Sequence, residues 1–194
     1  MTLSTLLTIA VPEIIILIAA MSVLLLGVFY KNTTSLFGIT QLTLLIAAYF
    51  TAQLPIDVKL TAFNEMFIAD SLSMFLKLLS YFALSLVLIY SRSFLQSRNL
   101  HNGEFYALTL FALLGINLII SSYHLLSLYM GLELLSLSLY TLVAFDRNRP
   151  EATEAAMKYF VLGAVASGFL LYGFSILYGI TGSLQIAEVS SRLA

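Results

Sequence analysis

Six long apolar runs separated by short polar breaks dominate the chain, at residues 10–30, 35–54, 71–91, 104–121, 124–145 and 153–180. Each is close to the ~20 residues that a helix needs to cross a ~30 Å hydrocarbon core. The pattern predicts an all-α fold, a polytopic integral membrane bundle of about six transmembrane helices. Local punctuation agrees: Pro12 suits the first turn of helix one, Asp70 or Ser71 caps helix three, and Pro150 sits just before helix six. The longest break, PIDVKLTAFNEMFIAD at 55–70, is too polar and too brief to span. No soluble domain, linker or low-complexity segment is visible.

Composition narrows the reading further. The chain is 60% hydrophobic and 10% charged, against the ~25% charged residues of an ordinary soluble domain. A net charge of −1 leaves no basic field for nucleic acid. Cysteine is absent, which removes disulfides and thiolate ligands for zinc or iron–sulfur clusters. The first ten residues carry no Lys or Arg, and the apolar run after them is too long for a secretory signal core, so the first segment reads as a retained transmembrane helix.

Basic residues set the orientation. Lys31, Arg92, Arg98, Arg147 and Arg149 fall in the first, third and fifth connectors, whereas the second holds Lys59 alone and the fourth holds none. The positive-inside rule then places the odd connectors in the cytoplasm and the N-terminus outside.

Three ionisable residues, Lys77, Glu133 and Lys158, are weighed as charges inside the spans, where each costs ~2.5–3.5 kcal/mol at a helix centre. Lys77 has a stem long enough to snorkel outward; the alternative is an interior partner on a neighbouring helix. Glu133, in SLYMGLELLSLSLYTL (127–142), has no Lys or Arg within ten residues and is too short to snorkel from its depth. On a helical wheel it shares a polar stripe with Tyr129, Ser136 and Tyr140. Ser127, Gly131 and Ser138 form a small-residue stripe suited to close packing, which leaves Leu128, Leu132, Leu135, Leu139 and Leu142 for lipid. Desolvation favours the neutral form of a carboxyl group, so a proton-accepting site is the functional reading; a hydrogen bond made purely for packing is the structural one.

Lys158 follows Glu154 by four, the favourable order for a helical ion pair. It lies ~6–7 Å nearer the cytoplasm than Glu133, which predicts a water-bridged gap between them rather than a contact salt bridge. Ala164 and Gly168 make a small-xxx-small pair where another helix is expected to pack. Gly168 and Gly173 have P-loop spacing, but Phe174 follows where the motif needs a Lys. His101 and His124 flank helix four on opposite sides and cannot share a metal. His124 opens Glu133's helix, either as a proton-path residue or as an interfacial one. No catalytic triad, metal-ligand set, dinucleotide fingerprint or cofactor site is visible, so charge movement across a bilayer is the chemistry left.

The stretches NGEFYALTLFALLG (102–115), GLELLSLSLY (131–140), EAAMKYFVLGAVASGFLLYG (154–173) and LYGITGSL (177–184) resemble the antiporter-like membrane subunits of proton-pumping NADH:quinone oxidoreductase, respiratory complex I, and within them the N-subunit family. Residues 1–101 resemble it only in hydrophobic layout. The resemblance implies that Glu133 is the family's helix-five proton-site carboxylate and Lys158 its helix-six lysine. Tyr129, Ser136, Tyr140, His124 and Lys77 remain possible proton-path residues. It also implies no cofactor in this chain, with NADH, FMN, iron–sulfur clusters and quinone in partner subunits, and a bacterial inner membrane or an equivalent organelle membrane as the location. Family members carry more than twice as many helices, built as inverted repeats with broken helices. The chain then corresponds to an N-terminal three-helix region (1–101) and the first three helices of the first repeat (102–194). A cation/proton antiporter subunit and a scaffold subunit without its own proton path are the competing readings.

Overall fold

Each apolar run folds into one helix in the computed structural model, which describes residues 3–29, 33–54, 60–98, 100 and 102–193, with side chains from Ile9 onward. The helices are α1 (Leu3–Phe29), α2 (Thr33–Ala52), α3 (Ser71–Ser97), α4 (Gly103–Ile120), α5 (Leu125–Val143) and α6 (Pro150–Thr181). A short α7 (Ile186–Leu193) and the strands β1 (Leu60–Ala62) and β2 (Phe67–Ala69) complete the order. Lys31, Lys59 and His101 lie outside the described residues.

Asp70 caps α3: its Oδ1 accepts from Ser73 N at 2.8 Å, and Ser73 Oγ accepts from Asp70 N at 2.9 Å. Pro150 opens α6 at its first turn, and Gly182 closes it in the left-handed region with φ 65°. Pro12 is a correction. The helix begins at Leu3, so this proline sits inside α1 and not in its first turn. The Leu-rich residues before it continue the helix upstream, and an interior proline is tolerated in a membrane helix when neighbours satisfy the freed backbone.

The 55–70 break contains an antiparallel hairpin that pairs Leu60 with Ala69 and Ala62 with Phe67. It is tied to the corner between α4 and α5, where Ile68 N donates to Ser121 O at 2.8 Å and Tyr123 N to Met66 O at 3.1 Å. Ser127 Oγ on α5 also donates to Met66 O, at 2.8 Å. The molecule thus has a hairpin end and, opposite it, an arginine end that carries Arg92, Arg98, Arg147 and Arg149.

The apolar core lies among the first four helices, with Ile16 and Val23 of α1, Leu44 of α2, Leu88 of α3, and Tyr106, Leu110 and Leu113 of α4 all buried. Helix α4 is its centre, packed against α1, α2, α3 and α5. The α4–α5 crossing depends on absent side chains. A Cβ on Gly115 would lie 2.7 Å from Leu135 N, and one on Gly131 would lie 2.9 Å from Ile119 N. Gly131 of the small-residue stripe therefore packs closely on α4. The leucine stripe is not simply a lipid face: Leu135 backs onto Gly115, and Leu139 and Leu142 line a groove toward α3.

Helix α6 rests mainly on α5 and leaves its far side open. Gly168 has no atom within 4 Å of its would-be Cβ, and Phe169 beside it is 73% exposed. The close helix expected at Ala164 and Gly168 is not supplied by the described residues.

Candidate functional site

The polar stripe of α5 faces α6, and a serine of α6 organises it. Ser167 Oγ donates a hydrogen bond to Glu133 Oε1. Tyr129 Oη lies 3.0 Å from the same Ser167 Oγ. A serine hydroxyl has one proton to give, so with that proton committed to the carboxylate, Tyr129 must donate to Ser167. The result is a directed chain of donors, Tyr129 to Ser167 to Glu133, inside the membrane-spanning part of the α5–α6 contact. A cavity of about 250 Å³ at the hairpin end, lined in part by Tyr129, Ser175 and Tyr178, adjoins the start of that chain.

Tyr140 also faces α6. Its ring stands edge-on to Tyr159 and Phe160, with centroids 5.0 and 5.5 Å away. The tyrosine hydroxyl fills the space that a Cβ on Gly163 would occupy, so any side chain there would force the Tyr140 ring to shift. Ser136 is half-buried on the same helix.

Lys158 does not join Glu133 in an ion pair. Its ammonium pairs with Glu154 Oε1 at 2.5 Å, and both side chains are largely exposed. The i, i+4 spacing explains the choice, because Glu154 is one turn back on the same helix and already within reach. His124 acts on its own backbone: it is the N-cap of α5, and its Nδ1 accepts from Leu126 N at 3.1 Å. Its main chain also pairs with Gln185.

Lys77 takes the second of its two readings, an interior partner on a neighbouring helix. It does not snorkel. The residue is 1% exposed and its Nζ sits 2.7 Å from Glu13 Oε1. The ring of Phe67, from the hairpin, lies 4.9 Å from the ammonium. One turn further along α3, Tyr81 Oη accepts from Asn117 Nδ2 at 2.8 Å and lies 3.4 Å from Thr51 Oγ1. A buried polar group thus joins α1, α2, α3 and α4 at the hairpin end. Burying both charges is tolerable because each neutralises the other; either one alone would be costly.

Two of these residues escaped the sequence reading. Glu13 was legible as an acid three residues into the first apolar run, but a single charge barely lowers the hydropathy of a long window. Ser167 lay within a run of small residues that suggested packing, and nothing local marks it as the partner of a carboxylate 34 positions away.

The described residues thus combine six helices long and apolar enough to cross a membrane with a hydroxyl-linked carboxylate between two of them. The chain belongs to the family described as NADH-ubiquinone oxidoreductase chain 4, amino terminus, whose model matches more than half of it. Residues 13–121 match the family described as NADH-ubiquinone oxidoreductase chain 4, amino terminus, and residues 122–193 match NADH:quinone oxidoreductase/Mrp antiporter, TM. Among curated relatives, NADH-quinone oxidoreductase subunit N of Methylovorus glucosotrophus is 56% identical, aligned over 95% of this chain and 39% of its own length. The subunit N of Thioalkalivibrio sulfidiphilus is 51% identical over 94% of this chain and 38% of its own. The chain thus spans about two-fifths of the relatives it matches.

Two solved structures agree in fold. Respiratory complex I from Thermus thermophilus with bound aureothin superposes on 90% of this chain and 38% of its own with TM-score 0.76 and 32% identity. An archaeal membrane-bound sulfane sulfur reductase gives TM-score 0.76 at 27% identity over 95% of this chain and 39% of its own. The resemblance carried in sequence by residues 102–184 therefore extends through the first three helices as well.

Proposed function

We propose that this chain supplies a proton-relay segment to a proton-translocating NADH:quinone oxidoreductase, with other membrane subunits of that complex as its partners. The observation that carries this reading is the donor chain from Tyr129 through Ser167 to Glu133. A carboxylate served by neutral hydroxyls can take up and release a proton without stranding a buried counter-charge, and the hydroxyls offer the proton a route. Lys158 is assigned a second station. Its ammonium, now held by Glu154 on the open side of α6, would enter the relay where another helix covers that face. The α1–α3 region is read as a support unit, and α4 to α6 as the start of the transport unit. NADH, flavin, iron–sulfur and quinone chemistry is assigned to partner subunits, since the relay itself needs none of it.

The test is Glu133→Gln in the assembled complex, with assembly and quinone-coupled proton pumping measured together. The complex should assemble and pumping should fall to under a tenth of the unmodified level, because loss of a proton-transfer group costs ~10²–10⁴-fold. Intact assembly with unimpaired pumping would instead make the chain a scaffold. Sodium-dependent transport that survives the substitution would favour the cation antiporter reading.

A further inference from the structure

The Glu13–Lys77 pair carries more hydrogen-bonding capacity than the protein around it uses. The contact with Glu13 Oε1 can take up one of the three ammonium N–H groups. Among the described residues no other acceptor reaches Lys77 Nζ, and no donor reaches Glu13 Oε2. On α4, Asn117 Oδ1 and Ser121 Oγ are also buried without a hydrogen-bond partner. Helical spacing brings the four residues together. Asn117 Nδ2 donates to Tyr81 Oη, which sets α3 and α4 side by side at that level. One turn toward the hairpin from Tyr81 stands Lys77, and one turn toward it from Asn117 stands Ser121. Successive residues of β2 touch this next level: the Phe67 ring lies over Lys77 Nζ, and Ile68 N donates to Ser121 O. We propose that Glu13, Lys77, Asn117 and Ser121 together hold one internal water molecule, enclosed beneath the hairpin.

The chemistry of the four groups selects that occupant. Lys77 Nζ and Ser121 Oγ offer protons, whereas Glu13 Oε2 and Asn117 Oδ1 accept them. A water has two lone pairs and two protons, so a single molecule can answer all four. Buried waters commonly make two to four such bonds to groups the protein leaves unmet. A cation would be repelled by the Lys77 ammonium and an anion by the Glu13 carboxylate. Spacing agrees as well: one helical turn, ~5.4 Å, is about twice a hydrogen-bond length, so one water can bridge Asn117 and Ser121. The site is closed by apolar groups on both sides. Toward the hairpin end, Ile9, Leu54, Ala62, Phe67 and Ala69 pack together, with Ile9 one turn outward of Glu13. Toward mid-membrane, Ile16 and Leu113 belong to the main core. The water solvates the lone pair and protons that the ion pair leaves over, which a buried pair needs if both charges are to persist. It exchanges with bulk solvent only when the hairpin lifts.

X-ray radiolytic footprinting of the full chain in detergent tests the site, because radiolysis of a bound water oxidises the side chains around it even where bulk solvent cannot reach. Tyr81 and Phe67 border the site and are 2% and 7% exposed; Tyr106, 0% exposed near the arginine end, is the dry control. Tyr81 and Phe67 should be oxidised several-fold more than Tyr106. After rapid mixing with heavy-oxygen water, the oxygen added at Tyr81 and Phe67 should remain light at delays where the exposed Phe63 of the hairpin tip already carries the heavy isotope. Phe67→Leu should shorten that delay at Tyr81. Glu13→Leu, Lys77→Met and Ser121→Ala combined remove three of the four partners and should bring Tyr81 oxidation down to the Tyr106 level. Should this triple variant misfold, seen as a rise in Tyr106 oxidation, the isotope delay in the unmodified chain decides by itself. Oxidation of Tyr81 and Phe67 no greater than that of Tyr106 would overturn the proposal. So would heavy oxygen arriving there as fast as at Phe63, or Tyr81 oxidation unchanged in a folded triple variant.

Discussion

Glu13 and Glu133 are both carboxylates on membrane-spanning helices, and they live in opposite settings. Glu13 is 6% exposed and answered by a full positive charge 2.7 Å away. Glu133 is half-buried at the α5–α6 contact and answered by a hydroxyl. Protonating Glu13 would strand the Lys77 ammonium in an apolar core. Protonating Glu133 would leave only neutral oxygen donors beside it. Partner chemistry, more than depth, decides whether an intramembrane acid can trade protons or must hold a fixed charge. The ion pair belongs to the part of the molecule that fixes helices α1 and α3, and the hydroxyl-linked acid belongs to the contact that remains open on one side.

The largest effect expected from breaking this contrast is at the ion pair. Lys77→Met alone leaves Glu13 buried and uncompensated and should destabilise the chain by ~3–5 kcal/mol, measured by denaturant unfolding in detergent. Glu13→Leu combined with Lys77→Met should recover most of that loss, because a well-packed apolar pair replaces a buried ion pair at little cost. If the double replacement were as damaging as the single one, the pair would be doing more than neutralising charge.

Ser167→Ala comes next. It deletes one hydrogen bond to a carboxylate, a loss of ~1.5–3 kcal/mol at most, so the fold should survive while pumping in the assembled complex collapses. Ser167→Thr keeps a hydroxyl at the same place and should retain much of the pumping. Failure of the threonine variant to do better than alanine would show that the donor chain is not what moves the proton.

The smallest effect should come from Lys158→Met. An exposed i, i+4 pair contributes ~0.3–0.5 kcal/mol, so unfolding should barely register the change. Any pumping deficit beyond that would mark the second relay role assigned to Lys158.

The sequence showed the bundle plainly and the site only in part, for physical reasons. Long apolar runs encode membrane helices directly, and Asp70 and Pro150 mark helix starts through backbone chemistry that is local. The Tyr129, Glu133 and Tyr140 stripe was likewise readable, because helical periodicity alone puts those residues on one face. What escaped was non-local. Lys77 finds Glu13 on a helix 64 positions earlier, and no periodicity of either helix names the other. Ser167 is one hydroxyl among small residues, and becomes a donor only because α5 and α6 lie side by side. The hairpin was hidden because three-residue strands leave almost no pattern, and here they owe their order to the α4–α5 corner beneath them.

The most direct test of the contrast is pH-difference infrared spectroscopy of the carboxyl stretch in the assembled complex, with Glu133→Gln and Glu13→Gln as assignments. The expected result is a protonation-dependent carboxyl band that vanishes in Glu133→Gln, persists in Glu13→Gln, and shifts in Ser167→Ala. A band that vanishes in Glu13→Gln while Glu133→Gln leaves it intact would assign the exchangeable proton to the ion pair and contradict the relay between α5 and α6.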